Sequence, residues 1–306
     1  MKIAFLIAAH KYPELLVRLV KRLESPLASI FIHIDKDADI RPFKNLFLRE
    51  GVRDVHWVPR VRCPWGTFDQ VRASLSLLRE ALRRDQNAGM YVLLSGQDYP
   101  LRTPEFLADF FERNKGISFV KWARLPWSIW PDAGGFERLT HYHFLIGKQR
   151  LEYPSKEIPR ARRLRLIYRL CGLFLPENRP LPQDLVFYGG LSWWNITRGA
   201  AERILVYLWH NARFARIFRY TKSSDEIFFQ TILVNCEGSN LENNDLRCVF
   251  WDGRRDEYPA IVRIEDFDEI RSSGMFFTRK VDPRYSLDLM DKIDSELLAG
   301  FKHRPE

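Results

Sequence analysis

Tyr91-Val-Leu-Leu-Ser95-Gly-Gln-Asp98-Tyr-Pro-Leu101 is the stretch on which the fold turns. An apolar run stops abruptly at Ser95, the pattern of a strand buried on both faces and followed by a loop at its C-terminal end. Open α/β sheets bind ligands at that end of their strands. Gly96 allows a ligand to approach the backbone closely, Asp98 adds a carboxylate, and Pro100 stiffens the exit. Taken alone, the same residues describe an ordinary tight turn.

The loop has company. Residues 1–10 form another apolar run, ending at His10, and Tyr12-Pro13-Glu14 then leads into Leu15, Leu16, Leu19, Val20 and Leu23 at helical spacing. Ser29–Ile34 repeats the pattern and ends in Asp35-Lys36-Asp37, while Val55–Val58 gives a short fourth strand before Trp65-Gly66. A helix follows over Phe68–Leu82, with Val71, Leu75, Leu78 and Leu82 on one side. Strand–helix alternation of this kind predicts right-handed crossovers and a mostly parallel sheet flanked by helices. His10, Asp35 and Asp98, at three strand ends, are expected to line one crevice.

The motifs Ala8-Ala9-His10-Lys11, His33-Ile34-Asp35-Lys36, Trp65-Gly66, Leu94–Leu101, Gly189–Trp194, Ser224–Thr231 and Phe276–Lys280 run in order along almost the whole chain. Together they resemble the core 2/I-branching N-acetylglucosaminyltransferases and peptide O-xylosyltransferases, family 14 of the glycosyltransferases. The resemblance implies a Rossmann-like GT-A-type α/β fold, a UDP-sugar donor, inversion at the anomeric carbon and no catalytic metal. It also implies one catalytic domain over residues 1–306, with a nucleotide-sugar-binding half (1–125) and an acceptor-binding and catalytic half (126–306).

Composition agrees. The 306 residues, 46% hydrophobic and 14% aromatic, describe a folded protein with a sizeable core. Cys63, Cys171, Cys236 and Cys248 lack Cys-x-x-Cys spacing and read as reduced structural thiols. No apolar run reaches the roughly 20 residues of a membrane span, and the first strand starts too early for a signal peptide. Animal members of the family carry an N-terminal anchor; the expectation here is a bacterial, cytoplasmic version.

The net charge of +9 is uneven. From Arg160 to Phe174 the chain reads as a basic helix, with Leu164, Ile167, Tyr168, Cys171 and Phe174 on an apolar side and Arg162, Arg163, Arg165 and Arg169 elsewhere. Two readings stand: a surface helix packed on the core, or a peripheral contact with an anionic membrane carrying a lipid-linked glycan acceptor. No nucleic-acid-binding motif accompanies the charge.

Inverting transfer needs a base for the acceptor hydroxyl and positive charge for the departing diphosphate. By resemblance the base is Glu226, in Ser224-Asp225-Glu226 ahead of an apolar helix that Ser224 or Asp225 can cap. A helix N-terminus weakens a carboxylate as a base, so desolvation has to compensate. Arg279 and Lys280 emerge from apolar Met275–Phe277, and the family places a diphosphate-binding cation at Lys280; Arg263 aligns with a second. Asp35 and Asp37 have the Asp-x-Asp spacing of metal-dependent relatives, but Lys36 interrupts them, and Asp37-Ala-Asp39 shows how common that spacing is. Donor contacts by resemblance are Ala8, His10, Asp35, Trp65, Gly66, Ser95, Gly96, Asp98 and Tyr99. Acceptor candidates are Glu137, Arg138, His141, His143, Trp194 and Trp251, the tryptophans as stacking platforms, with Trp193 and Trp194 pointing to opposite sides of a strand. Where branching enzymes of the family carry an aromatic residue two positions after Trp251, this chain has Gly253. The alternatives are a metal-dependent transferase using Asp35 and Asp37, and a non-catalytic glycan-binding protein on the same fold.

Overall fold

The structure, a computed structural model, describes residues 1–155, 157–237, 240–255 and 258–299. In chain order the strands are β1 (Lys2–Ala9), β2 (Ala28–Ile34), β3 (His56–Trp57), β4 (Ala88–Ser95), β5 (Tyr99–Pro100), β6 (Ser118–Arg124), β7 (Tyr142–Ile146), β8 (Gln149–Tyr153), β9 (Tyr188–Thr197), β10 (Leu241–Glu242), β11 (Arg247–Val249) and β12 (Phe277–Arg279). The main sheet has seven strands in the order β10-β6-β9-β4-β1-β2-β3. Its β4-β1-β2-β3 run is parallel throughout, and β9 is antiparallel to both β4 and β6.

The apolar runs are continuous because both faces of the sheet are covered. Along β1, Ile3, Phe5 and Ile7 pack with Met90, Val92 and the helix Pro13–Leu23. Ala4 and Leu6, of opposite parity, pack with Tyr91, Leu93 and the helix Asp69–Arg84. Each helix is apolar along one stripe and docks there, giving the expected sheet with helices on both sides.

A smaller sheet, β11-β12-β5, sits at the exit of β4. Thr278 pairs with Tyr99 and Phe277 with Pro100, and Gln97 exchanges hydrogen bonds with Val281, its Nε2 and that residue's N–H each donating at 2.9 Å. The loop after β4 and the Arg279-Lys280 pair are therefore fastened together, although some 180 residues separate them in sequence.

Because β9 runs against β4, its first residues lie beside the C-terminal ends of the parallel strands. The β4–β9 ladder ends at Val92 and Asn195. Beyond it the buried Arg247 guanidinium donates to the Leu93 carbonyl at 2.6 Å, satisfying a group the ladder leaves open. The divergence of these two strands opens the crevice described next.

Candidate active site

A crevice of ≈ 740 Å³ lies at the C-terminal edge of β1, β2 and β4. Ala8, Ala9 and His10 line it from β1, His33 and Asp35 from β2, and Ser95, Gly96 and Gln97 from β4. Ser192 and Trp193 enter from β9, Asp225 and Glu226 from the turn before the helix Phe228–Glu237, Trp251 from the loop after β11, and Arg279 and Lys280 from the end of β12.

Glu226 lies in a single 3₁₀ turn, Ser224–Glu226. Among the described residues no side chain caps this turn, and the Ser224 hydroxyl, expected as a possible cap of the following helix, makes no hydrogen bond. Backbone bonds hold it instead: Glu226 N–H donates to Ser223 O at 3.1 Å and Ser223 N–H to Gly66 O at 3.0 Å. Gly66, with φ +67°, does not line the crevice; its carbonyl fixes the turn that carries Glu226. Arg138 donates to Glu226 Oε2 at 2.6 Å while its guanidinium stacks on Trp130, 3.9 Å from the ring centre. Burial first, then neighbouring Asp225, pushes the Glu226 carboxyl up to about 7; Arg138 opposes the rise. Asp225 is itself raised by burial, and its Oδ1 and the Ser224 hydroxyl have no hydrogen-bond partner among the described residues. Desolvation thus outweighs the helix-terminus effect and yields a carboxyl poised near neutrality.

The cationic side is built around Arg279. Its guanidinium lies 4.1 Å from the centre of the Trp193 ring, and its Nε is 3.6 Å from Asp98 Oδ1. That ion pair is too long for a hydrogen bond, and among the described residues Arg279 Nε and Nη1 and Asp98 Oδ1 are buried without one. Burial pulls the guanidinium below its ordinary value, against Asp98, Asp245, Asp225 and Glu226, which hold it up. Directional donors inside a crevice suit a ligand with anionic oxygens.

Several sequence-derived positions fall elsewhere. Asp98 is fully buried and braces its own loop, accepting from Ser95 N–H at 2.6 Å. Tyr99 is also buried, and its hydroxyl donates to Asp294 Oδ1 at 2.7 Å and accepts from Arg18, away from the crevice. Of the three strand-end residues expected to share the crevice, His10 and Asp35 line it and Asp98 stands behind it. Gly96 does line it, but a side chain there would meet Ala9 Cβ at 2.8 Å: the glycine serves strand-end packing. Trp194 is fully buried core, packed on Phe229; alternation along β9 brings Trp193 to the crevice in its place. Arg263 stacks on Tyr285 at 4.9 Å, outside the crevice, whereas Lys11 and Arg279 line it with Lys280.

His141, His143 and Glu137 do not line the crevice. They form a layer behind Arg138: His141 Nδ1 lies 2.8 Å from Glu152 Oε1, and burial lowers the His143 imidazole to about 4. Asp35 Oδ1 accepts from the backbone N–H of Asp37 and Cys63, while the Asp37 carboxylate takes Arg62 Nε at 2.6 Å. Asp35 and Asp37 therefore do not converge. Among the described residues no group of three His, Cys, Asp or Glu side chains does so.

The aromatic rim is broader than the sequence suggested. Trp65 and Trp251 line the crevice 67% and 49% exposed, and Tyr258 joins them at 67%. A Cβ on Gly253 would lie 2.5 Å from the Tyr258 hydroxyl, so Tyr258 occupies space an aromatic at 253 would claim. Nothing in the local sequence around Tyr258 signals this; the loop brings it back over Gly253.

The chain has relatives among known proteins. The chain is 27% identical to human xylosyltransferase 2 over 98% of its own length and 34% of that protein's. It is 24% identical to rat xylosyltransferase 1 over 98% of its length and 36% of the relative's. It thus spans about a third of the curated relatives it matches. Among solved structures, Staphylococcus aureus TarS 1–349 in complex with UDP aligns over 39% of this chain and 35% of that one, at 11% identity and a TM-score of 0.30. The family model for the Core-2/I-Branching enzyme matches residues 3–127 and 136–271, and the chain belongs to that family.

Proposed function

We propose that the protein is an inverting, metal-independent glycosyltransferase. It moves a sugar from a UDP-sugar to a hydroxyl of a free or lipid-linked glycan, in surface-polysaccharide or lipopolysaccharide synthesis in the cytoplasm. One observation carries the reading: a carboxyl raised to about 7, Glu226, shares a crevice with the cations Arg279 and Lys280.

The acceptor hydroxyl gives its proton to Glu226 as its oxygen attacks the anomeric carbon. The bond from that carbon to the diphosphate oxygen breaks, both electrons leaving with UDP. Arg279 and Lys280 stabilise the charge that develops, an effect worth several kcal/mol when preorganised. Attack opposite the leaving group inverts the anomeric centre and gives a β linkage from an α-linked donor. Ala8, His10, Asp35 and the Ser95–Gln97 turn, in the 1–125 half, receive the nucleotide; Trp193, Trp251 and Tyr258, in the 126–306 half, offer faces to sugar rings. Arg62 engages Asp37, which leaves Asp35 without a second carboxylate for a cation and supports metal independence. The names of the relatives favour xylose over N-acetylglucosamine as the sugar.

Thermal unfolding with UDP, UDP-xylose and UDP-N-acetylglucosamine tests this without an acceptor. Ligand at a hundredfold excess over Kd adds about 2.7 kcal/mol of stability. A shift with UDP and one UDP-sugar, kept in EDTA and lost in Lys280→Ala, is expected. A shift that appears only with Mn²⁺ overturns metal independence, and no shift with any nucleotide favours a non-catalytic glycan-binding protein.

A further inference from the structure

We infer that the helix Arg162–Phe174, together with the cleft beside it, is a docking surface for an anionic lipid bilayer. The helix is apolar on two sides. Leu164 and Cys171 are buried against protein, and Tyr168 packs edge-on to Tyr153 of β8 with ring centres 5.2 Å apart. On the outer side Leu166, Leu170, Leu173 and Phe174 are exposed by 60%, 43%, 75% and 79%. Their spacing, i, i+4, i+7 and i+8, sets them in a single stripe along the helix. The expectation that Phe174 joins the packed side is corrected: its ring belongs to the outer stripe.

Arg162, Arg163, Arg165 and Arg169 flank the stripe, all exposed, and the helix contains no acidic residue. Among the described residues none of the four forms a salt bridge; Arg165 donates only to the carbonyls of Pro159 and Arg160. The adjoining cleft, of ≈ 640 Å³, is lined by Ile158, Arg160, Arg165, Tyr168, Arg169 and Glu177 among others. Three guanidinium groups against one carboxylate suit a lipid phosphate, and Ile158, 64% exposed, extends the apolar rim. An apolar stripe between arginines settles at the headgroup–acyl boundary, where anionic lipid adds attraction at each basic residue. A second copy of the chain fits this face poorly, because pairing two of them sets arginine rows against each other.

The surface is coupled to the crevice. The hairpin β7–β8 carries Tyr153 against the helix, and its Arg150 donates to the Trp65 carbonyl and stacks on that ring at 5.0 Å. The inference stands apart from the proposed reaction, and its failure would leave that reading intact.

Co-sedimentation of the full chain with vesicles tests it. Binding is expected to equal parts phosphatidylglycerol and phosphatidylcholine, and only weakly to phosphatidylcholine alone. Leu170→Asp with Leu173→Asp, and separately Arg162→Glu with Arg169→Glu, should each reduce partitioning on the order of tenfold or more. All four side chains are at the surface, so unchanged thermal unfolding of each variant secures the comparison. The inference is overturned by wild-type binding that both variants retain, or by no vesicle binding at all. It is equally overturned if inorganic pyrophosphate binds the cleft without vesicles, or if the face makes a dimer that Leu170→Asp with Leu173→Asp dissolves.

Discussion

The Glu226 carboxyl, the proposed base, sits between two opposed neighbours: Asp225 raises it and Arg138 lowers it, with burial the largest influence of all. A base acts in its ionised form, so the rate should climb as pH rises through about 7 and level off above it. Removing Arg138 removes a favourable charge from the ionised form, so in Arg138→Gln the limb should move to higher pH. Glu226→Gln should cost roughly 10²–10⁴ in kcat and abolish the limb. Steady-state pH profiles of the three proteins decide the matter; an acid limb surviving in Glu226→Gln would assign the titration, and the base, to another group. The sequence exposed the Asp225-Glu226 pair but not this balance. Arg138 lies 88 residues away from Glu226, and only the fold reveals that the two touch.

At the scale of the element, the turn after β4 divides its labour: Ser95–Gln97 line the crevice and Asp98 is architecture. Asp98 accepts from Ser95 N–H and faces Arg279 at 3.6 Å, so one buried carboxylate holds both the loop and the principal cation. Taking away one partner of a buried ion pair strands the other, which typically costs 3–5 kcal/mol. Asp98→Ala is therefore expected to lose roughly that much in urea unfolding, and a loss below about 1 kcal/mol would show that Arg279 finds other support. The strand before this turn was legible because a two-sided buried strand has no alternation to disguise. The direction of Asp98 and Tyr99 was not, since a carboxylate after a strand serves a ligand or its own backbone equally well. Trp194 fell the wrong way for a related reason: parity along β9 separates the two tryptophans, but which parity faces the core depends on Val120, the partner of Trp194 across β6.

For the molecule as a whole, the parallel order of β1, β2 and β4 followed from strand–helix alternation, and residues 1–125 read as a nucleotide-binding half. What alternation could not reveal is the insertion of β9, from the other half, between β4 and β6. Antiparallel insertion leaves no mark on the inserted strand, whose residues obey the same rule of burial on both faces. Its consequence is mechanical. Without residues 126–306 the first half keeps an open β4 edge at Met90–Val92 where β9 paired, loses the fully buried Trp194 from its core, and leaves β5 without its partner β12. Unpaired edges and a truncated core remove cooperativity and invite association. A fragment of residues 1–125 is therefore expected to lack a cooperative urea transition and to self-associate, whereas residues 1–299 should unfold in one step. A fragment 1–125 that stayed monomeric and unfolded cooperatively would mean that the two halves are separate folding units, and that the crevice is an interface between them rather than the edge of a single sheet.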